Sequence, residues 1–183
     1  MTVRRIVGIS GNITRPSRTR VLVDAILAES ARRSLGETVS YDLLDAGPGL
    51  GVATFRTDPP KALEQVWRAI ETCDVLVVGS PVYKGSYAGL LKHLFDLLDK
   101  NALAGRPVIL AATARVDHYA LMIEHQMRPL FGFFGALTLP LGIYATHNDF
   151  ATPSELTEAV LGRIAAAVDQ LEKLTLSERV PRR

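Results

Sequence analysis

The 183-residue sequence holds a single cysteine, Cys73, so no internal disulfide can form, and a reducing cytoplasm is the expected compartment. No apolar run approaches the roughly 20 residues needed to span a bilayer. The most hydrophobic stretch, Leu130 to Leu141, is broken by glycines and a proline. The chain enters a strand pattern at once, without the basic, apolar and small segments of a signal peptide. Charge of one sign is also missing: the formal net charge is +2, which gives no ground to expect nucleic-acid binding. The motifs GxxxxGK[ST], GxGxxG and HExxH are absent, as is any cysteine–histidine spacing, so neither a Walker loop, a dinucleotide fingerprint nor a metal site is expected. No Ser-His-Asp set or carboxylate pair stands out, and no side chain is nominated as catalytic.

What is present is regular alternation of short apolar runs and longer amphipathic ones. Strands are expected at Arg5–Ile9, Thr38–Leu44, Asp74–Gly79, Pro107–Ala112 and Leu137–Tyr144. Helices are expected at Thr19–Arg33, Lys61–Thr72, Tyr87–Leu98, Tyr119–Phe134 and Pro153–Leu174, with Ser154 and Glu155 in the first turn of the last. The first helix is expected to place Val21, Leu22, Ala25, Ile26 and Ala28 near one face, and Trp67 of the second is read as core. The continuous β-branched run Asp74-Val-Leu-Val-Val-Gly79 suits a central parallel strand covered on both faces. The segment Asp45 to Pro60 reads as a long functional loop, because periodic structure resumes directly after it. The pattern is that of one α/β domain over residues 1–183 with a doubly wound parallel sheet, residues 176–183 forming a tail.

In such sheets ligands bind beyond the carboxyl ends of the strands, where strand order reverses. Three loops are nominated. Ser10-Gly-Asn-Ile-Thr-Arg-Pro-Ser-Arg-Thr19 joins a strand to a helix N-terminus, where exposed N–H groups and the helix dipole favour an anion. Hydroxyls of Ser10, Ser17 and Thr19, with the charge of Arg15 or Arg18, suit a phosphate. The second loop, Gly79-Ser-Pro-Val-Tyr-Lys-Gly-Ser-Tyr-Ala-Gly89, offers a rigid wall for a flat ring, with Tyr83 packing on it and backbone from Val82 to Gly85 along its edge. The third is Ala112-Thr-Ala-Arg-Val-Asp-His118.

Ser10-Gly-Asn with Ser17-Arg-Thr19, followed by Gly79-Ser-Pro-Val-Tyr-Lys-Gly-Ser-Tyr-Ala-Gly-Leu-Leu-Lys92, resembles the NAD(P)H-dependent FMN reductase family. The second stretch is most similar to the reductases of two-component alkanesulfonate or methanesulfonate monooxygenase systems, and the likeness runs from about residue 3 to 175. The resemblance implies a flavodoxin-like three-layer sandwich with a five-stranded parallel sheet in the order 2-1-3-4-5. It implies FMN and NADH or NADPH as cofactors, an FMNH2-dependent sulfonate monooxygenase as partner, and a homodimer or homotetramer. Ser10, Ser17, Arg18 and Thr19 match the family's phosphate loop, and Pro81, Val82, Tyr83, Lys84 and Gly85 its ring-binding loop. Where many relatives carry paired glycines, this chain has Thr113, Ala114 and Arg115, leaving backbone contacts to the flavin there as the expectation. In sulfonate-system relatives the helix near His125 can carry a π-type bulge that goes with flavin as an exchanged substrate, and His125 is read either as a subunit contact beside the site or as a simple satisfied histidine. Hydride transfer between two bound rings needs no protein nucleophile. Three other readings share parts of the pattern: an FMN-retaining quinone, azo or chromate reductase, a flavodoxin-type electron carrier, and a regulatory module that uses only the anion site.

Overall fold

The computed structural model describes residues 4–177. In chain order the elements are β1 (Arg5–Ser10), α1 (Arg18–Arg32), β2 (Glu37–Asp42), α2 (Lys61–Thr72), β3 (Val75–Tyr83), β4 (Ser86–Tyr87), α3 (Gly89–Asp96) and β5 (Pro107–Thr113). A π-helical turn (Ile123–Met127), α4 (Arg128–Phe133), β6 (Leu137–Thr138), β7 (Ile143–Ala145), β8 (Phe150–Thr152), β9 (Glu155–Leu156) and α5 (Glu158–Ser177) complete the chain. Side chains alternate across a strand, and β3 shows the result: Val75 and Val77 join one core, Leu76 and Val78 the other. One core packs α1 and α5 on the sheet through residues such as Leu22, Val23, Ile26, Ile164 and Val168. The opposite core packs α2, α3 and α4 through Trp67, Ile70, Leu94, Phe95 and Phe131. Trp67 is fully buried as expected, its indole N–H donating to the Leu94 carbonyl at 3.1 Å and the Arg56 guanidinium lying 5.1 Å from its ring centre.

The parallel sheet runs β2-β1-β3-β5, with β6 and β7 both pairing β5, and β4 pairs β3 antiparallel. The expected order 2-1-3-4-5 is therefore met in its direction of winding but not in its strand count. The expected fifth strand is two short pieces, separated where Pro140 removes a donor from the ladder. The hairpin strand β4 is an addition the sequence did not suggest.

Several helix and strand readings need correction. Tyr87 pairs in β4, so the helix expected at Tyr87–Leu98 is Gly89–Asp96, and β3 runs past Gly79 to Tyr83 because its end pairs with β4. The β2 strand stops at Asp42, two residues early, because Asp42 Oδ1 accepts the Leu44 and Asp45 N–H groups and turns the chain. The inward face of α1 is Leu22, Val23, Ile26 and Leu27, and Ala28 is exposed. The Tyr119–Phe134 helix is a short 3-10 turn at Asp117–Tyr119, the π turn and α4. Pro129, lacking an N–H, removes the i→i−4 bond to the His125 carbonyl at the point where the wider turn gives way to α4. The last helix starts at Glu158, not Pro153: Phe150–Thr152 and Glu155–Leu156 form a small hairpin, with Ser154 N–H bonded to Thr152 Oγ1 at 3.4 Å. Part of the expected tail, residues 178–183, lies outside the described residues.

Cys73, at the amino edge of the sheet, is 2 % exposed, and its thiol donates to the Ile70 carbonyl at 3.1 Å. Burial pushes its pKa up to about 11, against a smaller opposing pull from Arg106. The thiolate is the reactive form, so Cys73 is expected to resist an aromatic disulfide reagent at pH 8 in the folded protein and to react fully in denaturant. Rapid labelling of the native chain would contradict this burial.

Candidate active site

The register of the sheet lines up one row at its carboxyl edge: Asp42 opposite Ser10, Ser10 opposite Gly79, Gly79 opposite Ala111, and Ala111 opposite Ile143. The chain leaves β1 toward β2 on one side and returns to β3 on the other, so the reversal falls between β1 and β3. The first and second loops rise from this point. Gly79 is required here, since a Cβ on it would lie 2.4 Å from Val23 Cγ2 of α1. Its absence lets the N-terminal turn of α1 sit flush on the sheet.

The first loop is held by a buried network. Ser10 Oγ donates to Asn12 Oδ1 at 2.6 Å, and Asn12 Nδ2 donates to Asp42 Oδ2 at 3.1 Å and to the Thr14 carbonyl at 3.0 Å. Arg15 reaches both Asp42 oxygens at 2.7 Å and Asp45 at 2.6 Å. Burial by itself would push the Asp42 carboxyl up. The hydrogen bonds from Arg15 and Asn12, the Arg15 charge and the Leu44 N–H outweigh it and hold the carboxyl below its ordinary value. Arg15, one of two cations offered for the phosphate, is thus committed to carboxylates. Sequence reasoning missed Asn12 and Asp42, which lie 30 residues apart and meet only through strand register.

The remaining donors converge on the start of α1. Ser17 is the N-cap, its Oγ accepting the Arg20 N–H at 3.3 Å, so the hydroxyl proton stays available. Thr19 Oγ1 and Thr113 Oγ1 lie 2.6 Å apart and share one hydrogen bond, which leaves one of the two hydroxyl protons to donate. Arg18 opens the helix with its guanidinium carbon 5.5 Å from the Phe150 ring centre, and its buried Nε has no hydrogen-bond partner. An orphaned cationic donor beside a helix N-terminus is the arrangement that a phosphate completes. Ser17, Arg18 and Thr19 thus keep donors that an anion could use, while the Ser10 hydroxyl is spent inside the loop.

The second loop is a tight hairpin. Val82 pairs with Tyr87 and Tyr83 with Ser86, leaving Lys84 and Gly85 as a two-residue turn with φ of +52° and +79°. Positive φ at both central positions defines a type I′ turn, and Lys84 holds it at a cost of about 1 kcal/mol. Ser80 Oγ accepts the Ala88 N–H at 2.9 Å, tying the base of the hairpin to the start of α3. Pro81 and Val82 are half-buried, whereas Tyr83 and Lys84 are exposed at the tip. In the third loop the Ala114 N–H donates to the Ala145 carbonyl at 3.0 Å, so it is not offered to a ligand. Arg115 is exposed beyond it, and Tyr144 Oη anchors the loop by donating to the Val116 carbonyl at 2.6 Å. His125 is exposed in the π turn. Among the described residues no helix is long and apolar enough to cross a membrane.

A doubly wound parallel sheet with hydrogen-bond donors gathered at its switch point and a tight hairpin beside them is a flavodoxin-like fold. The family described as NADPH-dependent FMN reductase matches residues 4–151, and the chain belongs to it. It is 47% identical over 170 residues to the NADH-dependent FMN reductase SfnF of Pseudomonas fluorescens (strain Pf0-1), covering 93% of this chain and 91% of that one. It is 45% identical to an FMN reductase (NADPH) of Pseudomonas aeruginosa, with the same coverage of 93% and 91%. The fold superposes on an oxidoreductase from Corynebacterium diphtheriae with a TM-score of 0.82 at 34% identity, covering 96% of this chain and 98% of that one. The chain is accordingly an NAD(P)H:FMN oxidoreductase, with FMN and NADH or NADPH as its cofactors.

Proposed function

We propose that this reductase takes FMN as an exchanged substrate and supplies it, reduced, to a separate sulfonate monooxygenase in the cytoplasm. FMN, when bound, supplies the hydride-accepting ring. The protein contributes position and electrostatics. Ser17, Arg18 and Thr19 would hold the phosphate, and Pro81 to Gly85 the ring, with backbone of Thr113 and Arg115 at its far edge. Arg115, exposed and charged, would face the side of the ring that gains negative charge. The observation that carries the exchanged-substrate reading is the π turn Ile123–Met127 packed against the ring-side hairpin, the feature that goes with exchanged flavin in the resembling reductases. The names of the two Pseudomonas relatives, both FMN reductases, support FMN as the acceptor.

We further infer that residues 1–183 act as one domain and that the chain is a homodimer or homotetramer. A cavity of about 430 Å³ between α3 and α4 has an apolar floor of Phe95, Leu98, Leu130 and Phe134, a charged rim of Lys92, Asp96 and Lys100, and Phe133 standing 70 % exposed beside it. An exposed aromatic within a charged rim is a pattern that contact between copies would bury.

The test follows anaerobic NADH oxidation by flavin-free protein while FMN is added in large molar excess. Reduction of many equivalents of FMN per subunit is the expected result. Reduction that stops near one equivalent until a quinone is added would make FMN a retained group and the protein a quinone reductase.

A further inference from the structure

The π turn and the ring-side hairpin meet through one side chain. Gln126 is half-buried in the turn, between the buried Ile123 and Met127. Its Nε2 donates to the Gly85 carbonyl at 3.0 Å, and Ser86 Oγ donates to its Oε1. Both bonds fall on the two residues that follow Lys84, the non-glycine residue held at positive φ. A primary amide carries a donor and an acceptor on one planar group, so the one side chain holds this carbonyl and this hydroxyl together. No other side chain among the described residues makes a hydrogen bond to Gly85 or Ser86. Tyr119 supports the same spot from outside, its ring 3.6 Å from where a Gly85 Cβ would stand.

We propose that Gln126 is a positioning residue: by clamping Gly85 and Ser86 it holds the Tyr83–Gly85 tip in the conformation that receives the flavin ring. The inference rests on the assignment of this hairpin as the ring wall. The clamp acts on the ring and not on the phosphate, which sits against α1. Its loss therefore weakens FMN and riboflavin alike, although riboflavin carries no phosphate.

The experiment measures equilibrium binding of FMN and riboflavin to wild type, Gln126→Leu, Gln126→Glu and Gly85→Val by flavin fluorescence, alongside thermal unfolding. Gln126→Leu is expected to raise Kd for both flavins by the same factor, about tenfold for two lost hydrogen bonds. Gln126→Glu keeps the acceptor for Ser86 but sets a carboxylate oxygen against the Gly85 carbonyl, so it is expected to weaken both flavins at least as much as Gln126→Leu. A valine at φ +79° distorts the turn directly and weakens both flavins. A lowered Tm with unchanged Kd in Gln126→Leu would reduce Gln126 to a structural residue and overturn the proposal. Weaker binding of FMN alone would also overturn it. If Gly85→Val weakens binding and Gln126→Leu does not, the hairpin holds the ring without the clamp. If neither changes either flavin, the ring wall lies elsewhere and the proposal falls with that assignment.

Discussion

Arg18→Ala is expected to weaken FMN binding by roughly 10- to 100-fold, the loss of one charge-assisted hydrogen bond worth about 1.5–3 kcal/mol. Riboflavin affinity should hardly move, so the preference for the phosphorylated flavin falls by the same factor. Stability should change little. The stacking of Arg18 on Phe150 contributes about 0.5–1 kcal/mol, and its removal is partly offset because the substitution also abolishes a buried Nε with no partner. Arg18→Lys keeps the charge without the planar fork and should fall between. Flavin fluorescence titrations of the two ligands read the result directly. An Arg18→Ala protein whose preference for FMN over riboflavin is undiminished would remove Arg18 from the phosphate site.

Asp42→Ala should cost about 2–4 kcal/mol of stability, the largest effect expected of a single polar substitution here. Its side chain is fully buried and accepts from Asn12, Arg15, Leu44 and Asp45, so truncation strands several donors at once. Arg15→Ala, by contrast, removes a side chain that is 51 % exposed and should cost less than Asp42→Ala, because Asn12 and the Leu44 and Asp45 N–H groups still hold the Asp42 carboxylate. The two substitutions therefore separate the buried network from its solvated partner, and urea unfolding of both variants tests the ordering. The pH dependence follows from the direction of the Asp42 shift. Its carboxyl titrates lower in the folded chain than in the unfolded one, so its contribution is complete above the ordinary carboxylate range and fades as pH falls through the folded value. Wild type should lose this increment on acidification, and Asp42→Ala should show a correspondingly flatter acid limb. Equal acid sensitivity of the two proteins would contradict that assignment. Because Asp42 also fixes Asn12 and through it Ser10, FMN affinity should fall in this variant as well.

The elements that hydrophobic pattern alone can specify were legible in the sequence. The helix Lys61–Thr72 falls at its expected residues because its apolar positions recur with helical spacing up to the extended Cys73. The run Val75–Val78 is buried on both faces, as a strand without polar alternation requires. The hairpin was hidden for a specific reason. Type I′ turns are usually announced by Asn-Gly or Asp-Gly, and here a lysine occupies the first left-handed position while Pro81 sits inside the strand. The Pro153 start was misread because Pro, Ser and Glu suit both a helix N-terminus and a tight turn, and Thr152 decides between them through a local side-chain bond. At the site, residue types pointed to a phosphate, but which donors were free did not show. Arg15 and Arg18 look equivalent in the sequence. Only register, which sets Asp42 beside Ser10, reveals that one is neutralised and the other is not.

The isolation of Trp67 has an optical consequence. It is the only tryptophan in the chain, and it is sealed in the layer between the sheet and α2 with its N–H fixed and a guanidinium over its ring. Burial predicts the emission of a single fluorophore shielded from water. Oxidised flavin absorbs where tryptophan emits, so occupancy of the carboxyl edge dims the signal by energy transfer without shifting its colour. Unfolding wets the indole and shifts the colour whether or not flavin is present. Intensity and wavelength thus report ligand and fold as two separable channels from one native side chain.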